Sequence, residues 1–361
     1  LEYCTGTVIG VTGSNGKSTT SAWIAHILKH AGKTAYLAGN AREGQQVLDK
    51  IETMRKDEYL VLEISDRQMI ESIPKSPHIA VITNISPNHL DDHGTLDQYI
   101  TVKKRLFSHQ NSNDIALVNW DNELTKSFLA EIPAKKYIFT ENSTLPNAQE
   151  GCFIANSELL FTTEGNTISF GKTDELLLPG KHNQANAQAA ATTCFFAGIS
   201  TEAIKSGLQS FAGLPHRTKL VATTETGIRF YDDIQSTTPE STIAALQMFT
   251  EKIVLIAGGD DKGMTYGALS EAIIANVEQL IILPGSGSDV LFAELESRKG
   301  STTGYPTITS VLSFAEALLV VNALAPHPDN VVISPACAGF QSHFLENKSI
   351  TSWVSEMISL T

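Results

Sequence analysis

The stretch that most constrains this chain is Val8-Ile9-Gly10-Val11-Thr12-Gly13-Ser14-Asn15-Gly16-Lys17-Ser18-Thr19-Thr20. An apolar run, a glycine turn and then a helical pattern predict a buried strand feeding a tight loop and a helix. Gly13 and Gly16 let the backbone turn sharply and bring its N–H groups against an anion. Lys17 adds a point charge, and Ser18 or Thr19 offers a hydroxyl to Mg²⁺. The helix expected from Thr19 to Lys29 aims its positive end at the same spot. The spacing is not the usual G-x-x-x-x-G-K-[ST], because Val11 stands where the first glycine belongs. A bare strand-to-helix turn accounts for the glycines but not for Lys-Ser-Thr-Thr directly after them. Nucleotide phosphate is the expected ligand, with Gly13, Asn15, Gly16, Lys17, Ser18 and Thr19 as candidate contacts.

The chain has 361 residues, more than one ordinary core holds, and at about 150 residues per domain it predicts two domains. A formal net charge of −13 disfavours nucleic acid and anionic membrane surfaces, both of which call for a basic footprint. Anionic substrates must then be held by local devices such as helix N-termini, Mg²⁺ and a few cations. Cys4, Cys152, Cys194 and Cys337 show no C-x-x-C pairing, so reduced and mostly buried thiols in a cytoplasmic protein are expected. No apolar run is long enough to span a bilayer. The first residue is Leu, so a segment before it is expected to be missing from the chain.

Strands are expected at 34–37, 59–64, 79–85 and 115–119, and helices at 44–56, 96–109 and 122–130, with a short helix or turn at 69–73 and a polar loop at 91–94. Alternation at these lengths argues for right-handed βαβ units and a mostly parallel sheet. From Tyr137 to Leu178 the period shortens and Thr, Ser, Asn and Gly accumulate, which predicts antiparallel hairpins attached to that sheet. Helices follow at 184–196 and 201–211. A boundary is read at Gly213-Leu214-Pro215, after which the α/β pattern restarts with strands at 228–232, 253–257, 279–283 and 331–334 and helices at 239–249, 266–275, 288–298 and 313–324. The expected architecture is a mostly parallel phosphate-loop domain with a hairpin extension over residues 1–213, then a Rossmann-like α/β domain over 214–361.

Parallel sheets bind ligands at the carboxyl ends of their strands, so metal ligands are sought there. Glu63 closes an apolar strand, where a lone carboxylate is costly unless paired or on a metal. His89, with Asp91, Asp92 and His93, follows the next strand; taken alone, His89 reads as an ordinary loop histidine. Lys103 reads by periodicity as a solvated helix lysine.

Taken in order, TGSNGKSTT at 12–20, LEISDRQ at 62–68, ITNISPNHLDDHGT at 82–95, LVNWDN at 117–122, GKHNQANAQAA at 180–190, FAGLPHR at 211–217, YDDIQSTTPES at 231–241, LIAGGDDKG at 255–263 and ISPACAGF at 333–340 resemble the Mur ligases of peptidoglycan synthesis. The resemblance covers nearly the whole chain and rests on many moderate motifs in one order. It implies ATP-dependent amide synthesis: a substrate carboxylate takes the γ-phosphoryl group and an amine attacks the resulting acyl phosphate. Within the family the chain is most like members that join glutamate to UDP-N-acetylmuramoyl-L-alanine. By this resemblance Lys17 holds the β- and γ-phosphates, Ser18 with Thr19 serves one Mg²⁺, and Glu63 and His89 hold a second. Lys103 matches a carbamylated lysine, anionic and able to help bind Mg²⁺. Asn183 and Asn186 match residues near adenine, although a helix cap is the plain reading of Asn183. Arg217 matches an arginine on the ATP phosphates and Asp233 a residue near the ribose. Asn40, Ser65 and Gln68 match acceptor-side positions, and Thr237, Lys262, Gly339 and Phe340 match positions around the incoming amino acid. The active site is expected between the two domains, in a monomer without nucleic-acid or membrane partners.

Departures accompany the match. Gln235 stands where lysine is usual, Gly339 where serine is usual, and Asn40-Ala41-Arg42 replaces Asn-Ile-Gly. The resemblance is expected to cover the family's central and C-terminal domains without its N-terminal uridine-diphosphate domain, since the chain begins just before the phosphate-loop strand. A related amide ligase with another amino acid or acceptor, or a non-catalytic ATP-binding module, is the alternative expectation. Lys17, Glu63, His89 and Lys103 occurring together argues against the second.

Overall fold

The computed structural model describes residues 3–40, 47–70, 73–85, 95–146, 149–178, 180–214, 216–249, 251–299 and 304–360, with side chains to 357. The chain divides into two compact units, Leu1–Phe211 and Ala212–Thr361.

The first unit runs β1 (Thr7–Thr12), α1 (Lys17–His30), β2 (Ala35–Gly39), β3 (Tyr59–Glu63), β4 (Ile79–Ile82), α2 (Leu96–Lys104), β5 (Ile115–Asn119), α3 (Glu123–Lys126), β6 (Lys135–Phe139), β7 (Gly151–Ala155), β8 (Glu158–Thr163), β9 (Asn166–Lys172), α4 (Lys181–Phe196) and α5 (Thr201–Ser210). Its nine strands lie in the order β2-β3-β1-β4-β5-β6-β7-β8-β9. Pairing is parallel as far as β7 and antiparallel through β8 and β9. The hairpin extension therefore grows from the edge of the parallel sheet, and the strand at Tyr137 belongs to the parallel part.

β1 is central because its residues are apolar on both faces: Val8, Ile9 and Val11 are buried. One face carries Ile82, Tyr99, Leu106, Val118 and Phe128. On the other, α1 packs against α4 and α5. Alanines at 187 and 189–191 let α4 approach closely, and Gly207 does the same for α5, where an added Cβ would stand 3.0 Å from Ile27 Cγ1.

The expected helix over 44–56 is a correction. Residues 44–46 lie outside the described residues, and 47–56 form turns with a 3₁₀ turn at Ile51–Thr53. Val47 and Met54 are buried in a small cluster with Cys4, Val8, Ala38 and Leu60, and Ile51 packs against it, while Leu48 is exposed, so apolar residues at helical spacing are here held by turns. β4 is also shorter than the expected 79–85.

The second unit runs β10 (Lys219–Thr223), β11 (Arg229–Asp232), α6 (Pro239–Leu246), β12 (Ile253–Gly258), α7 (Gly267–Asn276), β13 (Val277–Leu283), α8 (Ser286–Glu296), β14 (Thr307–Ser310), α9 (Phe314–Ala323), β15 (Asn330–Ile333), α10 (Phe340–Phe344) and α11 (Ile350–Leu360). The strand order is β10-β11-β15-β12-β13-β14, parallel except for the β10 edge. β12 sends Val254 and Ile256 to one core and Ile253, Leu255 and Ala257 to the other, so both faces are covered. Sequence reasoning has no element at β10, β14, α10 or α11. β10 and β14 are short and half-exposed, with little alternation to read. α11 did carry a signal, Ile350, Val354 and Met357 at helical spacing, and all three are buried.

Among the described residues all four cysteines are free and buried, and no helix is long and apolar enough to cross a membrane. Phe314 anchors the second core, its ring edge-on to Phe340 at 6.0 Å and to Trp353 at 5.8 Å. Phe314→Ala is expected to cost about 3–5 kcal/mol, read as a lowered urea midpoint; a change within 1 kcal/mol, roughly, would contradict this packing.

Candidate active site

The loop between β1 and α1 is held from below by the residues after β4. Ser14 N donates to the Asn84 carbonyl at 2.8 Å and Asn15 N to Asn84 Oδ1 at 2.9 Å. Thr83 Oγ1 donates to the Asn15 carbonyl at 2.5 Å, and Asn119 Nδ2 to the Thr83 carbonyl at 2.7 Å. Gly13 has φ 147° and a Cβ there would lie 2.0 Å from Thr83 Oγ1. Gly16, at φ 80°, would place one 2.5 Å from Asn186 Oδ1. Both positions therefore exclude side chains on space as well as on conformation.

α1 starts at Lys17 with no acidic residue in its first turn. The N–H groups of a helix's first turn point out along its axis, which makes this end an anion-binding terminus. Lys17 Nζ donates to the Ser14 carbonyl at 2.7 Å. On the far side, Thr20 Oγ1 donates to Asn186 Oδ1 at 3.1 Å, and Asn186 Nδ2 to Asn183 Oδ1 at 3.3 Å. The first turn of α4 is thus tied to the loop. Asn183 lies inside α4, whose N-cap is Gly180, so it is not the cap.

Lys103 is fully buried, contrary to the solvated position expected from periodicity. It shares the core-facing side of α2 with Tyr99, one turn earlier. Its Nζ donates to Thr12 Oγ1 at 3.4 Å, stands 3.8 Å from Asp66 Oδ1 and lies 4.8 Å from the centre of the Tyr99 ring. Thr12 Oγ1 in turn donates to the Ile64 carbonyl at 2.8 Å, and Tyr99 Oη shares a hydrogen bond with Ser14 Oγ at 3.0 Å. Burial, and then the nearby charge of Lys17, push the Lys103 amine down from 10.5 to about 7, against the opposing pull of Asp66. An amine with that value is partly uncharged at neutral pH, which is what reaction with CO₂ requires.

Glu63 ends β3 and is buried. Asn40 Nδ2 donates to Oε1 at 3.0 Å, while Oε2 has no hydrogen-bond partner among the described residues. A buried carboxylate oxygen left this way at a strand's carboxyl end fits a divalent cation. Among the described residues no three His, Cys, Asp or Glu side chains converge on one point. His89, expected beside Glu63, lies outside the described residues, as do Asp91, Asp92, His93 and Arg42. Ser65 and Gln68 close a small turn after β3, Ser65 N donating to Gln68 Oε1 at 2.9 Å.

The Mur ligase middle domain matches residues 11–194, which span the loop, Glu63, Lys103 and the asparagine pair. UDP-N-acetylmuramoylalanine--D-glutamate ligase of Symbiobacterium thermophilum is 34% identical over 343 residues, 95% of this chain and 73% of that protein. The chain belongs to the Mur ligase family. The enzyme of the same name from Ruminiclostridium cellulolyticum is 36% identical, with 94% of this chain and 72% of that protein covered. Among solved structures, MurF from Acinetobacter baumannii superposes with a TM-score of 0.68 at 19% identity, covering 98% of this chain and 77% of that one. UDP-N-acetylmuramate-alanine ligase MurC from Thermotoga maritima gives 0.67 at 18%, with 99% and 76% covered. At such identities these two show a shared fold.

In the second unit of this Mur ligase the residues of interest lie on strand-end loops. Asp233, after β11, is buried: Oδ1 accepts from Thr218 N at 2.9 Å and Thr218 Oγ1 at 3.0 Å, and Oδ2 from Ser334 Oγ at 2.7 Å. Burial raises its carboxyl to about 6 despite these donors. Asp233 therefore binds the end of β15 to the segment before β10. Arg217 and Lys262 are exposed, and Thr237 is half-buried. Gly259, at φ 129°, would set a Cβ 2.2 Å from the Ala338 carbonyl, across the bridge between Asp260 and Ala338. Gly339 is left-handed at φ 77° and precedes α10. Phe340 turns its ring into the core, so its backbone is what remains for a ligand.

Sequence reasoning missed Thr12, Asp66, Tyr99, Thr83 and Asn84 as parts of this site. Tyr99 and Lys103 at i and i+4 were the legible hint.

The Lys103 environment sets a pH dependence. An unfolded lysine keeps its proton to about 10.5, so between pH 7 and 10.5 the unfolded chain binds more protons than the folded one and stability rises with pH. Lys103→Met removes that slope. In Mg²⁺-free, CO₂-depleted buffer its stability relative to the parent is expected to be highest near pH 7 and to decline by about 2 kcal/mol or more towards pH 10; parallel melting curves across that range would refute the assignment.

Proposed function

We propose that this Mur ligase joins glutamate to UDP-N-acetylmuramoyl-L-alanine in peptidoglycan precursor synthesis, with ATP converted to ADP and phosphate. The observation that carries the reading is the built phosphate loop, Gly13 to Thr19, within a chain that matches curated D-glutamate ligases over about nine-tenths of its length. Residues 1–213 act as the ATP-binding domain and 214–361 as the amino-acid-binding domain. The protein works as a cytoplasmic monomer on small-molecule substrates.

Gly13, Asn15 and Gly16 shape the loop, and the amides that open α1 bind phosphate oxygens together with Lys17. Ser18 and Thr19 serve one Mg²⁺; Glu63, His89 and carbamylated Lys103 hold a second. Bound there, the ions neutralise phosphate charge as it shifts during transfer. The orphaned Oε2 of Glu63 and the depressed amine of Lys103 support this donor set. Asn183 and Asn186 face adenine, Arg217 the phosphates and Asp233 the ribose side. Asn40, Ser65 and Gln68 meet the acceptor, and Thr237, Lys262, Gly339 and the Phe340 backbone receive glutamate, a dianion that needs a cation and several N–H or O–H donors.

In the first step an acceptor carboxylate oxygen bonds to the γ-phosphorus and ADP leaves. In the second the glutamate amine attacks the acyl carbon, inorganic phosphate leaves and the amine's proton passes to solvent. Gly339 offers no hydroxyl and Gln235 no charge, and these two positions favour, as a second reading, a ligase of this family with another amino acid or acceptor.

Lys17→Ala is expected to fold normally and to lower ADP release by about 10²–10³-fold or more with D-glutamate and UDP-N-acetylmuramoyl-L-alanine. Unchanged turnover in that variant rules out the phosphate-site assignment. A screen of single amino acids with the parent protein decides between the two readings, since a preference for any residue other than glutamate selects the second.

A further inference from the structure

Lys103 meets two opposed electrostatic demands. As an ammonium it is matched by Asp66 Oδ1 at 3.8 Å, by Thr12 Oγ1 at 3.4 Å and by the electron-rich face of Tyr99 at 4.8 Å. As a carbamate the same side chain ends in an anion facing the Asp66 carboxylate and that ring. The Lys103 side chain has no exposure and that of Asp66 only 9%, so water screens little of the repulsion. Asp66 follows Glu63 by three residues, on the turn that leaves β3. With Lys103 as an ammonium, the charges of Glu63, Asp66, Lys17 and Lys103 cancel. Carbamylation leaves the same four groups two negative, the charge that one divalent cation neutralises.

We infer that Asp66 makes carbamylation of Lys103 conditional on a divalent cation: without one the Lys103–Asp66 pair holds the amine, and with one Asp66 joins Glu63 and the carbamate as an anionic group facing it. The inference rests on the carbamylation reading above. In the covalent step the amine lone pair forms the N–C bond to CO₂, one C–O π pair moves onto oxygen, and the proton lost from nitrogen goes to solvent. Asp66 acts here as a positioning residue, setting the state of Lys103 without taking part in phosphoryl or acyl transfer.

The test is ¹³C NMR of the full chain equilibrated with ¹³C-bicarbonate, with and without MgCl₂, following the carbamate resonance. Lys103→Met assigns that resonance by its loss. In the parent protein, half-occupancy is expected to need at least about tenfold more bicarbonate without Mg²⁺ than with it. Asp66→Asn should narrow that gap to less than about twofold by showing carbamate in Mg²⁺-free buffer, and Asp66→Ser should do the same if the asparagine variant melts early. Equal occupancy with and without Mg²⁺ in the parent overturns the inference while leaving carbamylation intact. So does an unchanged Mg²⁺ requirement in folded variants. Carbamate absent from every sample removes the carbamylation reading and this inference with it.

Discussion

A lysine with no solvent exposure, Lys103, is the constraint around which the first unit's site is built. Burying an ammonium is costly unless its surroundings answer it, and here the answers come from three places in the chain: Thr12 at the end of β1, Asp66 after β3 and Tyr99 on the same helix. Those partners meet because β1 pairs with β3 in parallel register, bringing both carboxyl ends to one edge. Tyr99 then reaches Ser14 in the phosphate loop. Lys103 and the phosphate loop therefore share a wall, and the charge of Lys17 is felt at Lys103.

Rigidity in the loop has a similar origin. Two of its amides are occupied by Asn84, and Thr83 and Asn119 fix the strand end beneath it. An anion would meet the opening turn of α1, because the N–H groups of a helix's first turn point out along its axis. Preorganised donors of this kind need no rearrangement as phosphate charge shifts, which is the property a phosphoryl-transfer site requires. The second unit divides its labour differently. Asp233 ties β11 to β15, while Lys262 and Arg217 stand as exposed cations.

Much of this was legible without coordinates. The apolar runs of β1, β3, β5 and β12 are long, bounded and buried on both faces, so their pattern survives in one dimension. The loop from Gly13 to Thr19 is contiguous, and Glu63 announced itself as a carboxylate closing an apolar strand. The expected helix at 44–56 failed although Val47, Ile51 and Met54 do meet a core, because turns can bury the same spaced apolar residues, and β10 and β14 escaped notice because half-exposed short strands carry little alternation.

The residues by themselves determined the alternating α/β plan, the phosphate-binding loop and the ordered motifs by which the family is known, since each depends on neighbours along the chain. Tertiary structure alone decided that Lys103 is buried, that Asp66 and Tyr99 stand beside it, that Asn84 holds the loop and that Phe340 turns inward. Those facts depend on which strand ends share an edge. Pairwise distances across 91 residues, as between Thr12 and Lys103, are set by sheet register and helix packing, which no local pattern encodes.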